Sequence, residues 1–447
     1  MSCRDRAAFP DFLAPVPADV VEDVRRWPLP PAYAAEFSGT PWGAAPPGVP
    51  RPAPTLENYE MQQAPLFYVL AGRIAALVPV RSATALLYLF RSLNAVCAFG
   101  VAVLARRGAR ALGFGERAWL PLAVLAFVPG FALALARASN DALAALLMSL
   151  AVVGTLRSGG PSRTEALAAG LAPAVKLYAW AALAVPAALA FARKSARALG
   201  TAAALILPGV SVAVWAWVRH GSPLPLQENL RPVVSASLAE VPWLRDVWTI
   251  AKTHVWVSGM GFHVLPTPIH VSALLLLLAC AALSAAAVRR VPGLRRPAAL
   301  LAIPLALFGV SLAYHAWRNF SFFRDSGGTG GWYLWAMAVP EALFLTLGLS
   351  RRARLTGLAA GLALFLALSI AGDVALFLEG TGALLERGPH HRISGVAGLP
   401  PGILLERFLA SRPSPAAFLA LVLGPVSWGV AVRAVASVGR FARPGHA

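Results

Sequence analysis

The feature that most limits how this chain can fold is a succession of apolar runs, each long enough to cross a bilayer and many closed by a small cluster of arginines. A hydrocarbon core about 30 Å thick is crossed by about 20 helical residues. Runs of that kind fall near 82–105, 118–136, 140–156, 198–218, 267–288, 297–317, 332–349, 355–378 and 415–436. Lipid offers no hydrogen bonds, so such segments must satisfy their backbones internally, as helices. The expectation is an all-α polytopic bundle of about 10–12 membrane helices. Composition agrees: 58% of residues are hydrophobic and only 13% charged, well below the roughly 25% charged of a soluble domain.

The net charge of +19 would suggest nucleic acid in a soluble protein. Here the arginines gather in short loops: Arg106, Arg107, Arg110 and Arg117; Arg157 and Arg163; Arg193, Lys194 and Arg197; Arg289, Arg290, Arg295 and Arg296; Arg351, Arg352 and Arg354; Arg433, Arg440 and Arg443. That is the pattern of cytoplasmic loops, read by topology and anionic headgroups, so no nucleic-acid partner is expected. The longer loops 219–266, 318–331 and 379–414 and the turn Arg137–Asn140 alternate with the basic set and are assigned to the other face. One stretch breaks the alternation: 164–192 must cross an even number of times in too few residues. It is read as two short helices, or a re-entrant pair, meeting near Lys176, an ionisable residue at a depth where charge is functional by default unless it snorkels to an interface.

Residues 1–63 differ from the remainder, being rich in Pro and carrying eight acidic residues against five Arg. They are read as an extracytoplasmic loop segment, followed by a multispanning membrane domain over 64–437 and a cytoplasmic tail at 438–447. In the favoured arrangement the run 64–80, interrupted by Arg73, lies along or dips into the outer leaflet; if it spans instead, the N-terminus is cytoplasmic. No stretch of the first sixty residues is apolar enough for a signal-peptide core, so a first transmembrane helix preceding this segment is expected to be missing. The three cysteines show no paired spacing, and the histidines fit no metal motif. A divalent cation is left open.

Polar residues beside the apolar runs form four clusters. Glu57-Asn58-Tyr59-Glu60-Met61-Gln62-Gln63 precedes Pro65 at a helix start, where carboxylates and amides can bind a hydroxyl acceptor or act as general base; the alternative is an interfacial cap with aromatic anchors. Arg137-Ala138-Ser139-Asn140-Asp141 occupies an outward turn, where Ser139 or Asn140 can cap the next helix and Asp141 complements its dipole. Arg91 and Asn94, in an otherwise apolar run, are expected to point into the protein. Arg318-Asn319-Phe320-Ser321-Phe322-Phe323-Arg324-Asp325, followed by Gly327-Gly328-Thr329-Gly330-Gly331-Trp332-Tyr333, suits a phosphate, which guanidinium forks and helix starts both recognise.

In this order the clusters resemble the type C (GT-C) superfamily of membrane glycosyltransferases, which includes protein O-mannosyltransferases and lipid A aminoarabinose transferases, and most of all a bacterial branch of it. Glu60-Met61-Gln62-Gln63-Ala64-Pro65-Leu66-Phe67-Tyr68 is similar to that branch's Glu-x-x-His-Gln-Pro-Pro-Leu-Tyr-Tyr, with Gln62 replacing His and Ala64 replacing Pro. Arg91 falls where the branch has an Arg. Phe127-Val128-Pro129-Gly130-Phe131 with Ser139-Asn140-Asp141-Ala142-Leu143 resembles its Pro-x-Phe and Asn-Asp-x-Leu signature. Gly170-Leu171-Ala172-Pro173-Ala174-Val175-Lys176 resembles Gly-Leu-Ala-x-x-x-Lys, and Gly331-Trp332-Tyr333 stands for Gly-Arg-Tyr. The resemblance covers about residues 57 to 350.

What it implies is transfer of a sugar from a polyprenyl-phosphate-linked donor to an acceptor at the extracytoplasmic face of a bacterial plasma membrane. Glu60 and Asp141 are then the catalytic candidates, and Gln62, Gln63, Arg91, Asn140, Lys176, Arg318, Arg324 and Tyr333 the substrate-binding ones. Two departures stand: the superfamily's catalytic carboxylate lies on the first outer loop, soon after a first membrane helix that is absent here, and Asp19, Glu22 and Asp23, the candidates for its place, match no motif; and Trp332 replaces an Arg, removing one expected partner of the phosphate, for which Arg318 or Arg324 can substitute. The competing readings are a transporter or lipid flippase, in which Lys176, Asp141 and Arg91 line a path, and a non-catalytic relative that binds a lipid-linked sugar.

Overall fold

A computed structural model describes residues 13–15, 55–57, 66–78, 83–127, 139–220, 236–255, 267–323, 329–351, 385–388 and 392–396. Eleven α-helices follow one another in these segments: α1 (Leu66–Leu77), α2 (Ala83–Ala111), α3 (Leu120–Phe127), α4 (Asp141–Ser158), α5 (Arg163–Gly170), α6 (Trp180–Ala192), α7 (Ala196–His220), α8 (Trp243–Val255), α9 (Thr267–Arg290), α10 (Arg295–Phe323) and α11 (Ala338–Leu347). The described strands make two small antiparallel ribbons, Leu13–Pro15 with Thr55–Glu57 and Leu385–Gly388 with Arg392–Val396. The architecture is the expected all-α bundle of a membrane protein.

Five described helices are long and apolar enough to span a membrane: Tyr88–Ala111, Asp141–Ser158, Ala196–Val218, His270–Arg290 and Pro292–Ser321. The outward faces of four of them carry Phe99, Trp217, Leu278 and Val310, each more exposed than buried, as suits a surface solvated by lipid tails. The apolar runs at 355–378 and 415–436 lie outside the described residues, as do the tail at 438–447 and, apart from Leu13–Pro15 and Thr55–Glu57, residues 1–63. The run at 332–349 is not one straight span: a 3-10 helix, Gly331–Met337, precedes α11.

The centre of the bundle is α4. It is flanked by α2, α5, α6, α11 and the 3-10 segment 331–337, and it is apolar around its whole circumference, which marks a helix buried on all sides. Small residues at its contacts (Ala142, Ala144, Ala145, Ala151, Gly154) let neighbouring backbones approach. Its two interior hydroxyls spend their protons on their own helix: Ser149 Oγ donates to the Ala145 carbonyl at 2.6 Å and Thr155 Oγ1 to the Ala151 carbonyl at 2.7 Å, so neither requires an outside partner. Gly159, with φ of 72°, ends α4 in the left-handed conformation.

The stretch 164–192 folds as two short helices. A capping box of Ser162 and Glu165 starts α5, two 3-10 turns follow at Ala172–Ala174 and Leu177–Ala179, and α6 continues from Trp180. By rise per residue α5 and α6 are about 12 and 20 Å long, short of a full crossing. Gly170 lies so close to α7 that a Cβ there would collide with the Ala204 carbonyl. Between the two helices Lys176 adopts extended backbone, with φ −145° and ψ 120°. The helix α1 is also short, about 18 Å, and docks by Phe67 in a cluster with Ala144, Leu147, Met148, Val175, Phe308 and Met337. That cluster is the floor of the site described next.

Candidate functional site

The polar groups nearest this floor come from three separated parts of the chain. Asp141 opens α4, Lys176 lies between α5 and α6, and Tyr333 sits on the 3-10 segment that leads into α11. Lys176 Nζ donates to Asp141 Oδ1 in a direct ion pair, with side chains only 11% and 14% exposed. The other carboxylate oxygen, Oδ2, accepts from Ser139 Oγ at 2.9 Å. Above the ammonium stand two aromatic faces, Tyr178 at 5.5 Å and Tyr333 at 5.7 Å from Nζ to ring centroid, close enough for cation–π attraction. The two rings meet edge to face, centroids 5.7 Å apart.

The turn before α4 is tied down from both sides. Asn94, fully buried on α2, donates to the Ser139 carbonyl at 2.8 Å. Asn140 precedes α4 but makes no side-chain cap; its amide instead donates to the Val175 carbonyl at 3.2 Å, holding the backbone next to Lys176. The hydroxyl of Ser139 accepts from the Asp141 backbone N–H at 3.3 Å. Asn140, the N-cap residue, thus reaches the backbone beside Lys176 instead of capping α4, and Ser139 meets Asp141 at both its N–H and its carboxylate.

A second layer backs Tyr333. Its ring lies 5.1 Å from that of His315, on α10. Nδ1 of His315 is 2.9 Å from Thr329 Oγ1, which also accepts from Asn319 Nδ2 at 2.9 Å. On the opposite side, α8 grips the same 3-10 segment. The Gly331 N–H donates to Thr253 Oγ1 at 2.7 Å, the Gly331 carbonyl lies 3.4 Å from His254 Nδ1, and the Trp335 indole N–H donates to the His254 carbonyl at 2.9 Å. His254 Nε2 is 2.8 Å from Glu341 Oε1 on α11. Burial opposes a charge on His254, but Glu341 and the Gly331 carbonyl outweigh it and hold the imidazole above its ordinary pKa.

Of the residues singled out by sequence, Asp141, Asn140, Lys176 and Tyr333 come together here. Arg318 lies on the last turns of α10, its guanidinium over the Trp317 ring at 5.7 Å. Arg91 departs from expectation: it is exposed, whereas Asn94, three residues on, is buried. The two differ by about 60° around the helix, and a long basic side chain at the margin of an interface turns its head outward. Glu60, Gln62, Gln63 and Arg324 lie outside the described residues.

Sequence reading passed over Tyr178, His315, His254 and Glu341. The signals were slight: Tyr178 follows Lys176 by two positions, and His315 is a lone imidazole in an apolar run with Asn319 one turn away. Among the described residues no three His, Cys, Asp or Glu side chains gather as a metal site. Chemically, the arrangement presents a shielded cation whose counter-ion is anchored by Ser139 and which stands against two aromatic faces. No family model matches this chain, and neither does any curated protein or solved structure.

Proposed function

We propose that this protein is a membrane glycosyltransferase that moves a sugar from a polyprenyl-phosphate-linked donor to an acceptor hydroxyl at the extracytoplasmic face. The observation that carries the reading is the convergence of Asp141, Asn140, Lys176 and Tyr333, drawn from three distant segments, around one shielded ammonium. Outward placement is supported by the polarity of α4, which opens on Asp141 and has Arg157 in its last turn, beside the basic loop.

In this reading the donor's phosphate meets Lys176, with Arg318 and Arg324 as further cations, and its lipid tail lies among the helices. Both oxygens of Asp141 are engaged, one by Lys176 and one by Ser139, so Asp141 serves to aim the ammonium rather than to take a proton. The proton of the acceptor hydroxyl then passes to Glu60, with Gln62 and Gln63 holding the acceptor and Arg91 near its approach. The acceptor oxygen bonds to the anomeric carbon as the bond from that carbon to the phosphate oxygen breaks. Polyprenyl phosphate leaves with the electron pair, its charge stabilised by Lys176. The faces of Tyr178 and Tyr333 suit the apolar side of a sugar ring.

The test is turnover in liposomes with a panel of radiolabelled polyprenyl-phosphate sugars, comparing wild type with Glu60→Ala, Asp141→Ala and Lys176→Ala. Transfer or donor hydrolysis that each substitution abolishes, in protein that still purifies monodisperse, is the expected result. Movement of intact labelled lipid between leaflets without cleavage would replace this reading with a flippase.

A further inference from the structure

Tyr333 has no chain connection to Lys176, so something must hold its ring in place. The 3-10 segment carrying it is bound at Gly331 and Trp335, two residues to either side of Tyr333, and both attachments end on adjacent residues of α8, Thr253 and His254. The bonding of His254 constrains its chemistry. Nδ1 faces a backbone carbonyl, which can only accept, so Nδ1 carries a proton; Nε2 faces the Glu341 carboxyl, and one proton lies between those two groups. The imidazole is thus clamped at both nitrogens, and Glu341 is what fixes its orientation. Gly331 has no room for a side chain: a Cβ would collide with the Ile250 carbonyl oxygen and the His254 amide nitrogen. On its far side the segment meets the His315 ring through Tyr333, and His315 is itself held by Thr329, which also accepts from Asn319.

We infer that His254 and Glu341 are positioning residues for the Lys176 site: the imidazole, held by Glu341, meets the Gly331 carbonyl and so sets the 331–337 segment with Tyr333 over the Lys176 ammonium. The effect on donor binding rests on the glycosyltransferase reading, whereas the shielding of Lys176 does not. If the pair merely tied α8 to α11, its loss would lower stability and leave Lys176 as shielded as before.

The experiment is a double-mutant cycle on the full chain in nanodiscs, read without any ligand. The rate at which a small acylating reagent modifies Lys176 is followed by mass spectrometry in wild type, His254→Ala, Tyr333→Ala and the double variant. We expect each single change to speed modification about tenfold and the double to be no faster than Tyr333→Ala alone, the signature of two residues acting through one path. Glu341→Leu gives the same cycle with the imidazole retained, for use if His254→Ala does not assemble. Glu341→Gln, which keeps an acceptor for Nε2–H, is expected to stay within about twofold of wild type. Unchanged modification in His254→Ala and Glu341→Leu, or effects that multiply in the double variant, would overturn the inference. Binding of a polyprenyl monophosphate is measured on the same proteins. If wild type fails to bind it, the donor reading falls, while the acylation cycle still decides the role of His254 and Glu341.

Discussion

The two polar clusters that flank the 331–337 segment differ in kind. Around Lys176 the charges sit at a junction of elements: among the described residues the ammonium has one carboxylate partner and two aromatic faces, and its surroundings come from α4, the α5–α6 junction and the 3-10 segment. Around His254 the groups are woven into one another, with side chain meeting backbone at each step from Thr253 to Gly331 to His254 to Trp335. In the proposed function the first cluster exchanges a partner for a ligand, an anion joining or displacing Asp141 at the ammonium. The second cannot admit anything without breaking its own bonds, and that suits a brace. A buried network that is complete rigidifies; one with an exchangeable ion recognises.

The sharpest way to break that contrast is to remove the ion pair. Lys176→Ala leaves Asp141 shielded beside Ser139 without its counter-ion, and losing one member of such a pair costs about 3–5 kcal/mol. Turnover should fall at least about a hundredfold, as when a charge-stabilising group is removed from an active site. The double variant Lys176→Met with Asp141→Leu should recover thermal stability but not turnover. Recovery of stability with turnover intact would show the pair to be structural and would erase the distinction between the clusters.

On the brace side, Gly331→Ala should cost about 1–3 kcal/mol, the usual range for forcing an extra carbon into a packed place, because the atoms it strikes are the Ile250 and His254 backbone. Its melting temperature should drop, and, in the glycosyltransferase reading, its donor KM should rise with kcat little changed, since Tyr333 shifts while Lys176 keeps its partner Asp141. A fall in kcat alone, at unchanged KM, would mean that the 3-10 segment takes part in the reaction itself.

The contrast also explains what the sequence could and could not disclose. The membrane helices were legible from length and apolarity alone, as in Ala196–Val218 and His270–Arg290, and so was the break at Lys176, because positive-inside bookkeeping left too few residues for two full crossings. Asp141 and Lys176 were visible because a charge beside an apolar run is costly. The brace was not. His254 lies in α8, a half-polar helix where a histidine carries no surprise, and Glu341 is 87 residues away, a pairing that only tertiary structure supplies. The run at 332–349 reads as a single span because hydropathy ignores how backbone bonds are satisfied; its first turns are 3-10 and are held at Gly331 by Thr253 of α8.

Acidity distinguishes the clusters by a smaller effect. His254 is held above its ordinary value of 6.5, so the stability it contributes is fully present below about pH 6.5 and lost as pH rises through the raised value. Each unit of upward shift is worth about 1.4 kcal/mol at most. The melting temperature of wild type should therefore decline on going from pH 6.5 into the alkaline range, and that decline should flatten in His254→Gln. A slope that persists in His254→Gln would assign it to another group.

The smallest effects belong to the pair on α2, where the burial of neighbours decides the outcome. Asn94 is fully buried and its amide holds the Ser139 carbonyl at 2.8 Å, so Asn94→Ala should cost about 1 kcal/mol, the net worth of one such bond, and should loosen the turn that carries Asp141. Arg91 is exposed, and a change such as Arg91→Gln should move stability by no more than about 0.5 kcal/mol. Turnover then separates two roles for this guanidinium. Rates within about twofold of wild type would leave Arg91 as a lipid-facing or headgroup-facing charge. A larger loss, greatest at low donor concentration, would show that its head reaches the donor's phosphate from outside the bundle and would extend the exchangeable cluster by one cation beyond Lys176.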